Sequence, residues 1–564
     1  MTKRAEQTAR LLDPTEGGWD TEVFAEQAEP QLERLATLLA GDSSAWQDLS
    51  QIATEDIRAG SLRHDHGETV FDSASIRVVR DGDGASGSQA LSQYGLASFE
   101  ESLKALRDEL RLGNDDSRVD VSLKLTAANI LADGSVRTTI HFKAKTRSAS
   151  GRGQVRARWN CDWRWPDDST PPLIHNLRAN SFESVRSKNP RPWFSDCTQA
   201  ALGANASFAN ELGFGMHHWL QRIGRVHGML YFQRHGIAVG DANGDGLDDV
   251  YVCQPAGLPN KLFLHQPDGT ARDASAEFGV DWLDNTASAL WVDLDNDGDQ
   301  DLVLATFEGT RVLENGSRNV FHPVAHLSSP DNDLHALSAT DYDGDGDLDL
   351  YVTVDFAVNP GRAFRYHDAN DGGRNQLFRN DGAWKFVEAT EEAGLETNNL
   401  RHSLAAAWED YDNDGDQDLY VANDYGQNCL YRNDGGKFFE VAPGAGVVDY
   451  GSGMSVSWAD YDRDGWMDLY VGNMFSSAGS RITSQENFLP KSKQPVRALY
   501  RRFVRGNSCF RNGGDGTFSE TSDRSGAMTA GWAWSSVFTD LDNDGWEDLF
   551  VANGYITTPD TGDL

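Results

Sequence analysis

Cysteine is scarce in this chain. Five lie scattered through 564 residues, at Cys161, Cys197, Cys253, Cys429 and Cys509, with no CxxC pair. An odd, dispersed set does not support a disulfide framework and leaves the redox compartment open. No apolar run approaches 18 residues, so no transmembrane segment is expected. The opening stretch MTKRAEQTARLLDPTEGGWD lacks the apolar core of a secretory signal, so no signal peptide is visible. Basic residues are outnumbered, 50 Lys and Arg against 87 Asp and Glu, for a formal net charge of −37. That balance excludes nucleic acid as a partner, because a phosphate backbone needs cationic side chains to displace its counterions. GxSxG, HExxH and Walker motifs are absent, and nothing in the residues argues a reaction. Hydrophobic residues make up only 39%, but they are interleaved with 55 Gly and 16 Trp. That composition fits a folded, turn-rich protein and not a disordered one.

The acidity is unevenly placed. Residues 1–190 hold 24 basic and 29 acidic residues, whereas residues 191–564 hold 26 and 58. The excess coincides with an internal repeat. Six segments carry Asp or Asn at positions 1, 3 and 5, Gly at 6 and Asp at 9: DANGDGLDD, DLDNDGDQD, DYDGDGDLD, DYDNDGDQD, DYDRDGWMD and DLDNDGWED. The oxygen-bearing positions are Asp241, Asn243, Asp245 and Asp249; Asp293, Asp295, Asp297 and Asp301; Asp341, Asp343, Asp345 and Asp349; Asp410, Asp412, Asp414 and Asp418; Asp460, Asp462, Asp464 and Asp468; Asp540, Asp542, Asp544 and Asp548. The spacings are 52, 48, 69, 50 and 80 residues.

Short carboxylates at alternate positions of a tight loop converge on one point. A hard cation of flexible geometry takes six to eight oxygens at about 2.3–2.6 Å, and position 7 can add its backbone carbonyl. Gly at position 6 permits the sharp turn. Two carboxylates about 4 Å apart repel by roughly 1 kcal/mol in water and about 4 kcal/mol at an effective dielectric near 20. Four in one loop therefore call for a counter-cation, and up to six Ca²⁺ are expected. Mg²⁺ fits less well, because it demands near-octahedral geometry and sheds water reluctantly. The loops are not EF-hands, since position 12 is apolar and strand-like runs such as DVYV and DLYV follow.

Each loop therefore reads as a hairpin tip between two strands. A second element lies between loops: NQLFRNDGAWKFVEAT from Asn375, NCLYRNDGGKFFEVA from Asn428 and NSCFRNGGDGTFSETS from Asn507. Its Asn-Asp-Gly or Asn-Gly-Gly core is a hairpin signal. About four strands per repeat of roughly 50 residues is the pattern of a β-propeller blade. Val239, Trp291, Ala339, Trp408, Trp458 and Phe538, two residues ahead of the loops, read as buried faces of equivalent strands.

These motifs carry a resemblance. HGIAVGDANGDGLDDVYV at 235–252 resembles the FG-GAP (VCBS) repeat of integrin α-subunit propellers. AWEDYDNDGDQDLYVAN together with LYRNDGGKFFEVA looks like the bacterial relatives of cartilage acidic protein. The resemblance covers residues 191–564 and implies a calcium-loaded propeller of about seven blades. It implies a binding or adhesion role outside the cytoplasm, in the periplasm or at the cell surface. Only six loops are present, and the chain stops 16 residues after Asp548. PWFSDCTQAALG at 192–203 resembles an opening strand that could close the ring; otherwise the ring is incomplete.

Two spacers are long, 353–375 and 474–507. The second carries Arg481, Lys491, Lys493, Arg497, Arg501, Arg502 and Arg505 against Glu486 alone. Either it is a docking surface for a protein or an anionic carbohydrate, or it is a clasp folded on the acidic repeats.

Residues 1–190 lack the repeat and read as a separate α+β domain. EPQLERLATLLA at 29–40 has helical spacing, with Pro30 as a first-turn residue. SFEESLKALRDELRLG at 98–113 reads as a helix with a Ser98/Glu101 capping box, a Phe99, Leu103, Leu106 and Leu110 face, and a terminating Gly113. Four strand-like runs follow. The order looks similar to a cone of the nuclear-transport-factor-2-like or polyketide-cyclase-like kind. His64, Asp65, His66 and His141 are its candidate chemistry if it encloses a pocket. The overall expectation is a mainly β protein, an integrin-α-like propeller after a small α+β domain, with structural metal sites and a binding role. An enzyme acting on a polysaccharide or small molecule is the alternative.

Overall fold

In a computed structural model the chain is described over residues 19–554, apart from 42–48, 64–66, 82–90, 113–115, 150, 167–169, 190, 216–217, 220, 224–234, 317–319, 332 and 357–366. His64, Asp65, His66 and Gly113 fall outside the described residues, as does much of the 353–375 spacer. Two compact units are present. One joins the chain up to residue 195 with residues 476–501, and the other runs over 196–475 and from 502 onward.

The first unit is built on one eight-stranded sheet. Its strands are β1 (Ala53–Ala59), β2 (Gly67–Asp72), β3 (Ile76–Asp81), β4 (Gln93–Tyr94), β5 (Arg118–Ile130), β6 (Val136–Ser148), β7 (Gly151–Arg164) and β8 (Leu173–Ser187). The order is β2-β3-β8-β7-β6-β5, with β1 parallel to β8 and antiparallel to β4. Strands β6 and β7 alternate in burial along most of their length, so every second residue enters the core, while β5 and β8 break the alternation at bulges. Helices α1 (Asp20–Ala40) and α2 (Gly95–Leu110) supply the other side of that core. Phe24, Leu35, Phe99, Phe142, Trp159 and Trp163 are fully buried there.

Three local expectations are corrected. Helix α1 starts ten residues ahead of Pro30, because DTEVFAEQA continues the apolar stripe through Val23, Phe24 and Ala28. Pro30 sits inside the helix on its exposed face, where the lost hydrogen bond faces water. Helix α2 begins at Gly95, so Ser98 is already within it and caps nothing. The short strands β1–β4 were not apparent in the sequence, since β2 is exposed along its whole length and carries no alternation. The apolar face read for α2 does pack inward: Phe99, Leu103, Leu106 and Leu110 are all buried.

The basic segment is also not a loop. It forms α3 (Ser477–Ser484) and α4 (Gln494–Phe503), and residues 476–501 belong to the first unit. Arg481 pairs with Glu22 of α1 at 2.8 Å and donates to the Leu125 carbonyl at 3.2 Å. Gln485 donates to Glu22 as well, at 2.6 Å.

Among the described residues, the second unit contains five four-stranded antiparallel sheets and a two-stranded pair. Sheet one comprises Ile237–Gly240, Asp249–Val252, Lys261–His265 and Ala271–Asp273. Sheet two comprises Thr286–Val292, Asp301–Thr306, Gly309–Gly316 and Val320–Leu327. Sheet three comprises Leu334–Thr340, Asp349–Val354, Gln376–Asn380 and Phe386–Glu388. Sheet four comprises His402–Glu409, Asp418–Asp424, Cys429–Asn433 and Phe438–Glu440. Sheet five comprises Ser455–Ala459, Asp468–Gly472, Ser508–Asn512 and Phe518–Glu520, and the pair is Ala533–Thr539 with Asp548–Asn553. In each, consecutive strands are neighbours. First strands of successive sheets pack side by side. Second strands such as Asp301–Thr306 and Asp349–Val354 are buried at every residue, which explains their unbroken apolar runs.

Residues 192–203 do not form the expected strand. Thr198–Leu202 is a short helix, as the helix-favouring TQAAL lacks any alternation of period two. Among the described residues, no helix is long and apolar enough to cross a membrane.

Candidate metal centre

All six acidic nonapeptides join the first and second strands of a sheet. Within each, the chain is folded by its own carboxylates. In loop four, the Asp410 carboxylate accepts the backbone N–H groups of Asp414 at 3.0 Å and Gly415 at 2.9 Å. Asp414 accepts that of Asp416 at 2.9 Å. The pattern recurs in loop five through Asp460 and Asp464, and in loop six through Asp540 and Asp544. Position 6 is glycine with φ of 84° to 98° in every loop, a region closed to other residues without strain.

Position 9 has a different environment. Asp249, Asp301, Asp349, Asp418 and Asp468 are buried. Asp418 accepts from the backbone of Tyr411 at 3.2 Å and of Asn433 at 2.7 Å, so one side chain ties the start of the loop to the third strand. Burial, with Asp412 and Asp414 nearby, pushes its pKa up to about 8, and the same causes lift Asp301 and Asp349 to about 7. A carboxyl raised in this way by burial ionises readily only where a cation meets it.

The structure brings five groups of ligating oxygens to within 4.8 Å of one another. They are Asp293, Asp295 and Asp297; Asp341, Asp343 and Asp349; Asp410, Asp412 and Asp418; Asp460, Asp462 and Asp464; Asp540, Asp542 and Asp544. The donor set fits a hard cation, and one further observation supports that fit. One oxygen each of Asp293, Asp412, Asp462 and Asp542 is buried without a hydrogen-bond donor. A buried orphan carboxylate oxygen is costly unless something cationic meets it. Loop one shows no such triad. Its Asn243 donates to Asp245 at 3.0 Å and holds that carboxylate in a polar contact of its own.

Contacts between sheets align the loops. On the third strand a buried asparagine reaches the position-2 carbonyl of the preceding sheet's loop. Asn380 donates to Leu294, Asn433 to Tyr342 and Asn512 to Tyr411, each at 2.8 Å, and Asn315 donates to Ala242 at 3.2 Å. These asparagines read in sequence as turn formers; their recurrence before Asp or Gly was the available signal. The aromatics ahead of the loops also reach across. Trp291, Trp408, Trp458 and Phe538 meet Tyr251, Tyr351, Tyr420 and Tyr470 edge-on at 5.9 to 6.3 Å.

Two further features are present in this unit. Beside loop four lies a cavity of about 480 Å³, lined by Asp412, Asp414, Arg432 and Trp466 among others. At the strand ends away from the loops, His402 is fully buried, with Asp355 at 2.9 Å from one ring nitrogen and Asp371 at 3.5 Å from the other. His141, the remaining candidate of the first unit, lies on β6 opposite Lys124 and Arg158. Of the seven basic residues in 474–507, five make contacts inside the chain. Arg481 pairs with Glu22, Arg497 and Arg501 donate to the Gln485 and Thr483 carbonyls, Arg502 pairs with Asp449, and Arg505 pairs with Glu520.

Four stretches, 241–304, 293–352, 410–471 and 500–551, match the FG-GAP-like repeat family. No curated protein matches the chain. Solved structures that it resembles include an Agrocybe aegerita lectin, described as recognising non-reducing terminal N-acetylglucosamine. That likeness has 16% identity over 57% of this chain and 74% of the lectin, with a TM-score of 0.34. Another is the Vibrio cholerae biofilm matrix protein Bap1, with 13% identity over 45% of this chain and 36% of Bap1, and a TM-score of 0.27.

Proposed function

We propose that this FG-GAP repeat protein is a calcium-dependent binding or adhesion module acting outside the cytoplasm. Its sheets would be the blades of an integrin-α-like propeller, and its metal sites would be structural. The observation that carries the calcium reading is the set of buried carboxylate oxygens without donors at Asp293, Asp412, Asp462 and Asp542, each inside a cluster of aspartates. A divalent ion would satisfy them and offset the repulsion within each loop. The residues that would hold it are positions 1, 3, 5 and 9 of each loop, with position 7 adding a carbonyl. The side-by-side first strands and the recurrent asparagine bridges support the blade reading. Open oxygen sites of this kind fill at about 10⁻⁴–10⁻³ M calcium, which supports an extracytoplasmic setting.

Native mass spectrometry and thermal melting in 2 mM calcium and in EGTA test this reading. The expected result is several bound ions and a fall in melting temperature on chelation. A melting temperature indifferent to calcium would remove the metal from the account. Pull-down on immobilised acidic polysaccharide, with and without calcium, tests the binding role, and no capture in either condition would count against that ligand.

A further inference from the structure

The fifth loop differs from its neighbours in what faces it. In sheets three and four the third strand ends in Arg-Asn-Asp. Arg379 is paired with Asp381 at 2.9 Å, and Arg432 with Asp434 at 2.8 Å. Each guanidinium is thus held by the carboxylate two residues on. In sheet five the same position reads Arg511-Asn512-Gly513, and the local carboxylate is missing. Arg511 turns instead to the acidic loop. Its Nε donates to Asp462 Oδ2, and its terminal nitrogen donates to Asp464 Oδ2 at 2.6 Å.

The atoms involved matter. Asp464 Oδ1 already accepts the Trp466 backbone N–H at 3.1 Å, so Oδ2 is the oxygen left for a cation, and Arg511 holds it. Asp462 Oδ1 remains buried without a donor, while Oδ2 of the same group is taken. The loop also carries an arginine of its own, directed at loop six. Position 4, which is Gly or Asn in the other loops, is Arg463 here. It keeps the left-handed φ of 59°, and its guanidinium lies 4.0 Å from the Trp546 ring centroid. Loops two, three and four each place five aspartates in the nonapeptide; loops one, five and six place four, and loop five alone adds an arginine, Arg463.

We propose that Arg511 is a built-in counter-cation that makes loop five the weakest calcium site among the five loops whose carboxylates gather into a triad. This rests on the calcium reading above and refines it: the loops are unequal, and one holds its shape at low calcium. A fixed guanidinium a few ångströms from the ion position repels a divalent cation and removes one of its ligands. Calcium affinity in that loop then depends on whether residue 513 provides a partner for Arg511.

Two variants of the full chain separate the possibilities. Arg511→Gln removes the guanidinium. Gly513→Asp keeps it but supplies the partner that Arg379 and Arg432 have. A Cβ at 513 meets Asp515 Oδ1 at 3.0 Å and the Thr517 carbonyl at 3.1 Å, contacts that small shifts relieve. Calcium titration by calorimetry, with native mass spectrometry for stoichiometry, reads the outcome. Among those five sites the wild-type chain should show one weaker than the others by about tenfold or more, and both variants should tighten that site alone. The reciprocal change, Asp434→Gly, should free Arg432 and weaken one further site. Identical titrations for wild type and both variants would overturn the role of Arg511. Absence of bound calcium in all of them would instead overturn the calcium reading itself.

Discussion

The asparagine bridges between sheets allow a quantitative test. Asn433 is fully buried, and its side chain makes three hydrogen bonds: to the Tyr342 carbonyl of the preceding sheet at 2.8 Å, to the Gln417 carbonyl at 3.1 Å, and from the Gly436 N–H at 2.8 Å. Asn433→Ala deletes all three and leaves polar backbone buried without partners. At about 1 kcal/mol per bond, sheet four should lose about 3 kcal/mol, about a third of it at the contact with sheet three, because only the Tyr342 bond crosses. Asn433→Asp keeps the size but replaces the donor with an oxygen facing two carbonyls, beside the buried Asp418, so it should cost at least as much. Global unfolding of a two-unit repeat chain is not one transition, so the assay must be local. Hydrogen–deuterium exchange, followed on peptides covering 342–351 and 411–433 in saturating calcium, reads each sheet separately. A loss of about 3 kcal/mol corresponds to exchange roughly a hundredfold faster in peptides of 411–433, and the third of it at the contact to about fivefold in 342–351, with β5–β8 unchanged. Acceleration below about threefold, or an aspartate variant as protected as wild type, would refute the bridging role.

Tyr420→Phe removes the hydroxyl that donates to the Val447 carbonyl at 3.0 Å and should cost about 1 kcal/mol, read as roughly fivefold faster hydrogen–deuterium exchange in peptides of sheet four, while the edge-on contact with Trp458 persists. Stability of the second unit should fall as pH rises, because two buried groups act in the same direction. Burial pulls the His402 pKa down, but Asp355 and Asp371 more than reverse it, so its contribution is complete below about 6.5 and is lost as pH rises through the raised folded value. Burial pushes Asp424 up to about 7, which adds a cost growing between its ordinary 3.8 and that value. Melting temperatures from pH 5 to 8.5 in saturating calcium should decline, and Asp424→Asn should flatten the lower part of the curve; an unchanged slope would rule out Asp424. In the first unit, Glu22→Gln leaves Arg481 without its anion. Trypsin cleavage at Lys491 and Lys493 should then quicken several-fold, and an unaltered rate would show that this ion pair does not hold the segment.

What was legible in the residues was local. The nonapeptides could be read as hairpin tips because their geometry is set within nine residues: each carboxylate folds the backbone a few positions away, and position 6 needs glycine. The four-stranded sheets followed from the same short-range spacing. What stayed hidden depends on partners far along the chain. Asn433 looks like a turn residue and serves as one through Gly436, yet its bond to Tyr342 spans 91 residues. The basic segment could be read either as a docking surface or as a clasp on the acidic repeats; Arg502 and Arg505 do pair with Asp449 and Glu520 of the repeats, but the Glu22 that holds Arg481 lies 459 residues away, outside them. Pro30 looked like a helix start because its exposure, which makes an interior proline tolerable, is a property of the assembled core. Arg511 lies between these cases. Its displacement onto loop five is a long-range contact, but its cause is local, the glycine at 513 where sheets three and four have Asp381 and Asp434. Repeats allow such an inference because each unit is a control for the next: one altered residue in an otherwise constant frame marks where a charge must find another partner.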